Sequence, residues 1–290
     1  MSVDPDEILV SFDVMSLFTC IPTHLAIEVV KERPASDQSL PERTNLSIQN
    51  IIALLQFVLD NNFFVFQGDH FKQIFGCPMG FPVSAILANL IMEYVEGKAL
   101  LSAPNPLKWW FRYVDDSHVC VKREHVDELH SHLNSINANI KFTILIESEG
   151  SIAFLDTKTT GQDNGSIIVS VYRKATHTDH YLDFKSHHDP QHKHSVVHTL
   201  MDHAKNIPST EEEALRETNR VTEALTGNNY PANFIYNGRQ LNRQQVNDIG
   251  QRGIVILPYA KGFSERIAKV LRGFNIKVID KPIRTISNVL

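Results

Sequence analysis

A chain of 290 residues, 42% hydrophobic and 21% charged, is long enough to bury a full core and too apolar for wholesale disorder. Its formal net charge of -5 argues at first sight against a nucleic-acid partner, and its three scattered cysteines, Cys20, Cys77 and Cys120, argue against a disulfide framework or a zinc site. With no N-terminal signal pattern and no apolar run of about eighteen residues, the expectation is an intracellular protein without a membrane partner.

The charge is unevenly spread. From Arg239 to Leu290 ten Lys and Arg stand against three acids, a local balance of +7 that leaves -12 on the other 238 residues. Both a solvated basic face and a polyanion contact fit that tail.

In chain order, Ile8 to Val14 is a dense apolar run of buried-strand type, with Asp13 near its end and no obvious local partner. A lone buried acid reads as a cap, a hydrogen-bonded core carboxylate or a metal ligand. Thr23 to about Lys31 is helical, Pro34 to Thr44 a polar loop, and Ser47 to Asp60 a helix in which Ile48, Ile51, Ile52, Leu55 and Val58 recur at helical spacing. Phe63 to Ile74 predicts a hairpin turning at Gly68-Asp69.

Next comes Gly76-Cys77-Pro78-Met79-Gly80-Phe81-Pro82, leading into an apolar helix from Ala85 to about Glu96. Two glycines and two prolines make a stiff loop whose backbone can approach a ligand closely. It is not a nucleotide-binding P-loop, because no Gly-Lys-Ser/Thr follows.

Trp109 to Val121 then holds two aromatic and β-branched runs around Asp115-Asp116, which predicts a hairpin with two carboxylates at its turn. Adjacent side chains on an extended strand point to opposite faces, so both acids can face inward only if the turn twists them or a metal collects them. Solvated turn chemistry is the ordinary alternative for such a pair.

Arg123 to Asn137 reads as a helix, Lys141 to Glu147 as a strand, Glu149-Gly150 as a turn, Ile152 to Asp156 as its continuation and Ile167 to Tyr172 as a further strand. His177 to Lys205 holds eight of the fourteen histidines, but irregular spacing and the lack of nearby Cys argue against a metal site. Helices are expected from Gln191 to Asn206, from Ser209 or Thr210 to Thr226 and from Pro231 to before Gly238. Three helices with short joints fit a helix-turn-helix-like module or a plain packing unit. Gly253 to Tyr259, Ser264 to Gly273 and Ile276 to Ile279 then read as strand, basic helix and strand.

A strand-end acid, a Gly/Pro loop and a paired-Asp hairpin, in that order, are the parts of a two-metal phosphoryl-transfer site. Ser11-Phe12-Asp13-Val14 through Ile21-Pro22, Gly76 to Pro82, Tyr113-Val114-Asp115-Asp116 and Phe154-Leu155-Asp156 resemble motifs A, B, C and the region toward E of reverse transcriptases. More narrowly they resemble Penelope-like retroelements, in which a tract like Val171 to Asp179 follows the palm and one like Ile256-Leu257-Pro258-Tyr259 lies in the connector before an endonuclease.

The resemblance implies an α+β fold: a reverse-transcriptase palm with an antiparallel sheet packed on helices over residues 1–172, a helical thumb or helix-turn-helix-like region over 173–238 and a basic connector over 239–290. It implies that Asp13, Asp115 and Asp116 are the catalytic acids and ligate Mg2+, with Mn2+ as substitute. Phe18 is implied as a steric gate against a ribose 2′-hydroxyl, and Pro78, Met79 and Gly80 as nucleotide-pocket residues. Lys141 is implied as a general acid, with an exposed strand-edge lysine as the plainer reading.

The implied partners are an RNA template, a DNA primer and deoxynucleoside triphosphates, and the implied location includes the nucleus. Cys20 stands where the family more often has Asn, and Phe81 and Val83 alter the usual neighbours of motif B. The chain starts close to motif A and holds no Gly-Ile-Tyr and Tyr-Ile-Gly pair, so the expectation is a palm without its fingers and endonuclease. RNA-directed DNA polymerase is then the first functional reading. An inactive fragment that binds nucleic acid without turnover is the second, and a metal-dependent nuclease, which leaves the Gly/Pro loop and Phe18 without a role, is the third.

Overall fold

The computed structural model describes residues 1–36, 39–240 and 253–281. The chain divides into two compact units, 1–167 and 168–290.

In the first unit the elements run β1 (Glu7–Val14), α1 (Leu17–Cys20), α2 (Thr23–Ser36), α3 (Leu40–Arg43), α4 (Ile48–Asp60), β2 (Phe63–Phe66), β3 (Asp69–Lys72), α5 (Pro82–Leu101), β4 (Trp109–Tyr113), β5 (Asp116–Lys122), α6 (Val126–Ile136), β6 (Phe142–Ile146), β7 (Ser151–Phe154) and β8 (Thr157–Gly161). The main sheet is antiparallel, in the order β4-β5-β1-β6, which puts β1 at its centre. Its run of apolar residues follows from that place. Ile8, Val10, Phe12 and Val14 bury one face, together with Val119 and Val121 of β5, against Leu87, Ile91 and Val95 of α5 and Leu129 and Leu133 of α6. The α+β class expected from the sequence is what the chain forms.

Several boundaries differ for physical reasons. Helix α5 starts at Pro82 rather than Ala85, since proline is well suited to the first helical position, where no backbone donor is needed. The β2–β3 hairpin turns at Gln67-Gly68, one residue earlier than expected. Both have positive φ (53° and 90°), as a two-residue type I′ turn demands. The expected loop from Pro34 to Thr44 is partly helical, because α2 runs on to Ser36 and α3 follows. Strand β8 is missing from the sequence reading. Phe154-Leu155-Asp156 does not simply extend a strand but turns it, and β8 pairs back on β7.

Strand β9 (Ile167–Val171) leads into the second unit, where α7 (Pro190–Asn206), α8 (Glu211–Gly227) and α9 (Ala232–Gln240) pack around Val197, Met201, Val221, Leu225 and Ile235. Thr210 caps α8 by accepting from the Glu213 N–H at 3.3 Å. The unit also holds β10 (Gly253–Pro258), α10 (Ser264–Arg272) and β11 (Ile276–Lys281), a β-α-β piece with parallel strands. Among the described residues no helix is long and apolar enough to cross a membrane.

Candidate active site

Strand register decides which acids meet. Ser11 pairs with His118 and Phe12 with Ser117 across β1 and β5, so one further step sets Asp13 opposite Asp116. Directly opposed residues share a face. Asp13 and Asp116 therefore stand on the face away from the helices, with Ser11 two residues back along β1. On the other side of β1, Asp13 pairs with Thr143 and Ser11 with Leu145. These residues, with Phe154 from β7, line a cavity of about 280 Å³.

Asp115 lies in the turn between β4 and β5, and its charge reaches Asp13. Asp13 is exposed at the mouth of the cavity, and its carboxyl is held above its ordinary value first by partial desolvation there and second by the negative charge of Asp115, against a lowering contribution from the Val14 backbone. The conflict that an extended Asp-Asp dipeptide poses is thus resolved by the turn: Asp116 starts a strand and Asp115 stays outside it.

That turn is strained. Val114 has φ 56°, a left-handed conformation unfavourable for a β-branched side chain. Arg112 braces it. Its Nη1 donates to the Val114 carbonyl at 3.0 Å and to Asn89 Oδ1 at 3.2 Å, while Nε donates to Glu96 Oε2 at 2.8 Å. Asn89 and Glu96 both belong to α5, so this guanidinium ties the hairpin tip to the helix that follows the Gly/Pro loop. A second left-handed residue, Leu155 at φ 53°, lines the cavity from the β7–β8 turn. Bulky residues held in this region need support from the surrounding structure and concentrate at functional sites.

The Gly/Pro loop is fixed against α1. The Cys77 N–H donates to the Phe18 carbonyl at 2.6 Å, and Gly76 (φ 76°) lies so close to Thr19 that a Cβ would sit 2.6 Å from its carbonyl oxygen. Only glycine fits there. Phe18 and the start of the loop are thereby neighbours, with Pro78 half-buried and Met79 and Gly80 exposed. Gly80 has φ 80° and open space beside it, so its backbone conformation rather than crowding calls for glycine. Lys141 serves a helix end: its Nζ donates to the Asn134 and Asn137 carbonyls at 2.7 and 3.2 Å. Burial pushes the Cys77 thiol up to about 11. In Cys120 burial leads and the nearby Glu7 adds to it, up to about 12, so both thiols stay protonated.

Carboxylate oxygens suit a hard divalent cation, and a partly desolvated acid with a second acid's charge close by is a donor set that such a cation relieves. Among the described residues no three His, Cys, Asp or Glu side chains gather into a metal cluster. Magnesium typically takes one or two protein carboxylates and completes its shell from water and phosphate, so two acids suffice in kind.

Residues 180–240 match the animal helix-turn-helix domain family, which bears out the helix-turn-helix expectation for this region. No curated protein matches the chain. Among solved structures, telomerase from Candida albicans in complex with a fragment of telomeric RNA is similar at 12% identity, over 80% of this chain and 43% of that one, with a TM-score of 0.48. Apo telomerase from Candida tropicalis truncated from its C-terminal domain is similar at 17% identity, over 55% and 34%, with a TM-score of 0.42. The Sicinivirus 3Dpol RNA-dependent RNA polymerase is similar at 14% identity, over 77% and 48%, with a TM-score of 0.48. The chain spans between a third and a half of the length of these structures. At such scores the likeness carries no weight, and function has to be argued from this chain's own residues.

Around helices α7 to α9 several polar residues serve the fold. Arg173 forms a two-armed ion pair with Glu217 of α8, one arm at 2.9 Å, with both side chains nearly buried. Asn228, capping α8, accepts from the Tyr181 N–H through its side chain and from the Phe184 N–H through its carbonyl, and donates to the Asp179 carbonyl. The tract after Tyr172 is thus strapped to α8. His194 stacks on Phe234 with ring centroids 4.0 Å apart, and burial lowers its pKa. Lys193 is buried, donating to the Ser186 carbonyl at 2.8 Å. Lys193 is thus a core residue, and half-buried His194 packs on Phe234.

Proposed function

We propose that the first unit is a polymerase palm and that the chain is the RNA-directed DNA polymerase domain of a Penelope-like retroelement. It would add deoxynucleotides to a primer 3′-hydroxyl on an RNA template. The observation that carries this reading is the convergence of Asp13 with Asp115 and Asp116 at one end of the central strands, where partial desolvation and then the charge of Asp115 raise Asp13 and where Asp13 and Asp116 line one cavity.

Asp13 and Asp115 would hold the divalent cation, with Asp116 beside them. When bound, Mg2+ or Mn2+ would favour the ionised form of the attacking hydroxyl and neutralise charge on the departing pyrophosphate. The chain's own residues do the positioning. Phe18, tethered through its carbonyl to the Gly/Pro loop, would fill the space of a ribose 2′-hydroxyl, and Pro78, Met79 and Gly80 would let the backbone approach the incoming nucleotide. Lys141 would act as general acid only after leaving the α6 carbonyls that now hold it. Residues 1–172 would form the palm, 173–238 the thumb and 239–290 the connector.

A second reading is a palm that binds nucleic acid without turnover. Primer extension on an RNA template, with magnesium and then manganese, separates the two. The expected result is extension that disappears in Asp115→Asn; equal extension by parent and variant would remove the polymerase assignment.

A further inference from the structure

The helix-turn-helix match draws attention to residues 180–240 as a nucleic-acid contact, but their charge does not support it. Six Lys and Arg there face eight acids. Of the cations, Lys193 is buried and Arg216 and Arg220 are each paired with carboxylates. The β10-α10-β11 piece is opposite in kind, with six Lys and Arg against two acids from Gly253 to Lys281.

Helix α10 sorts these residues by face. Ser264, Ile267, Ala268 and Leu271 are buried or half-buried, while Arg266, Lys269 and Arg272 are exposed. At 100° per residue the first set spans one side of the helix and the cations the other. The one acid of the helix, Glu265, is turned back into the piece, accepting from the Tyr259 hydroxyl at 2.8 Å and the Gly262 N–H at 2.6 Å. None of the three cations forms an ion pair among the described residues. Three solvated positive charges on one short helix, with the helix's own carboxylate engaged by Tyr259 and Gly262, fit a row of phosphates.

We infer that the outer face of α10, formed by Arg266, Lys269 and Arg272, is a phosphate-backbone contact for the nucleic acid handled by this chain. The choice of nucleic acid over another polyanion rests on the polymerase reading above. The contact is independent of base sequence, because it is made by point charges on an exposed helix face rather than by donors fitted to base edges. It moves the main electrostatic grip of the second unit from the helix-turn-helix region to the β-α-β piece.

The test is the salt dependence of binding to a fluorescent RNA–DNA hybrid by the whole chain, from about 50 to 200 mM salt. Replacing the three cations together (R266Q/K269Q/R272Q) is expected to flatten the slope of log affinity against log salt by roughly two to three, at 0.7–0.9 per lost phosphate contact. The charge-preserving R266K/R272K should keep the parent slope. An unchanged slope in the triple variant overturns the proposal, as does binding to phosphatidylserine vesicles in place of the hybrid. Primer extension by the parent is scored separately: a slope that falls in a chain unable to extend would sink the polymerase reading and leave this contact standing. Extension with an unchanged slope would do the reverse.

Discussion

The first unit brings like charges together at the end of a sheet, where partial desolvation and the charge of Asp115 hold the Asp13 carboxyl up and where Val114 keeps a left-handed backbone. The second brings opposite charges together against its helices, where Arg173, from the tract after β9, and Glu217 of α8 satisfy each other with both side chains nearly buried. The same physics runs in two directions: a buried pair of opposite sign orders a fold, whereas a crowded pair of like sign costs stability unless something else is bound. The first unit therefore has the marks of a site, and helices α7 to α9 of the second those of a scaffold.

Removing one partner of the scaffold pair should have the largest effect on stability. Glu217→Ala removes both arms of the nearly buried Arg173 pair and leaves it Asp179 at 3.9 Å, and the expected loss is about 3 kcal/mol, the lower end for a broken buried pair, read as a lowered denaturant midpoint. A loss below about 1 kcal/mol would mean that the pair is screened like a surface ion pair.

In the first unit Arg112 offers an intermediate case. Arg112→Gln strips Glu96 of its partner and the Val114 carbonyl of its donor, with an expected cost of about 1–3 kcal/mol. Retained stability in urea would show that the hairpin tip holds itself.

The smallest effect should come from Asp13, with its sign set by linkage. Its carboxyl titrates above the ordinary 3.8 in the folded chain, so the stabilising contribution is full below 3.8 and is lost as the pH rises through the raised value. Without added divalent cation, Asp13→Asn should match the parent at low pH and become modestly the more stable of the two toward neutrality. Melting temperatures of both across that range give the answer, and a difference that does not vary with pH would mean that Asp13 feels neither desolvation nor Asp115.

Much of the site was legible because it is written in local order. A strand-end acid, a loop with two glycines and two prolines, and adjacent Asp residues between β-type runs are short-range patterns, and each falls on the element it predicts. The residues that complete the cavity were harder to find. Ser11 and Thr143 are joined to Asp13 only by the register of three strands, although alternation back from Asp13 points to Ser11. Arg112 sits beside the acids in sequence, but nothing local says that it will meet Glu96. Strand β8 was missed because Leu155-Asp156 lacks the usual Asn-Gly or Asp-Gly turn signal.

By itself, then, the sequence determined most of the elements, with β8 and α3 as exceptions, the apolar centre of the sheet, the position of each acid on its strand or turn, and the basic character of the C-terminal stretch, all of which depend on periodicity and composition over a few residues. Tertiary structure alone decided that Asp13 stands across from Asp116 within reach of Asp115, that Gly76 must be glycine because α1 lies against it, that Lys141 serves a helix end, and that the cations of α10 face outward while Lys193 is buried. Those outcomes depend on register and packing between segments far apart in the chain, and no local pattern carries that information.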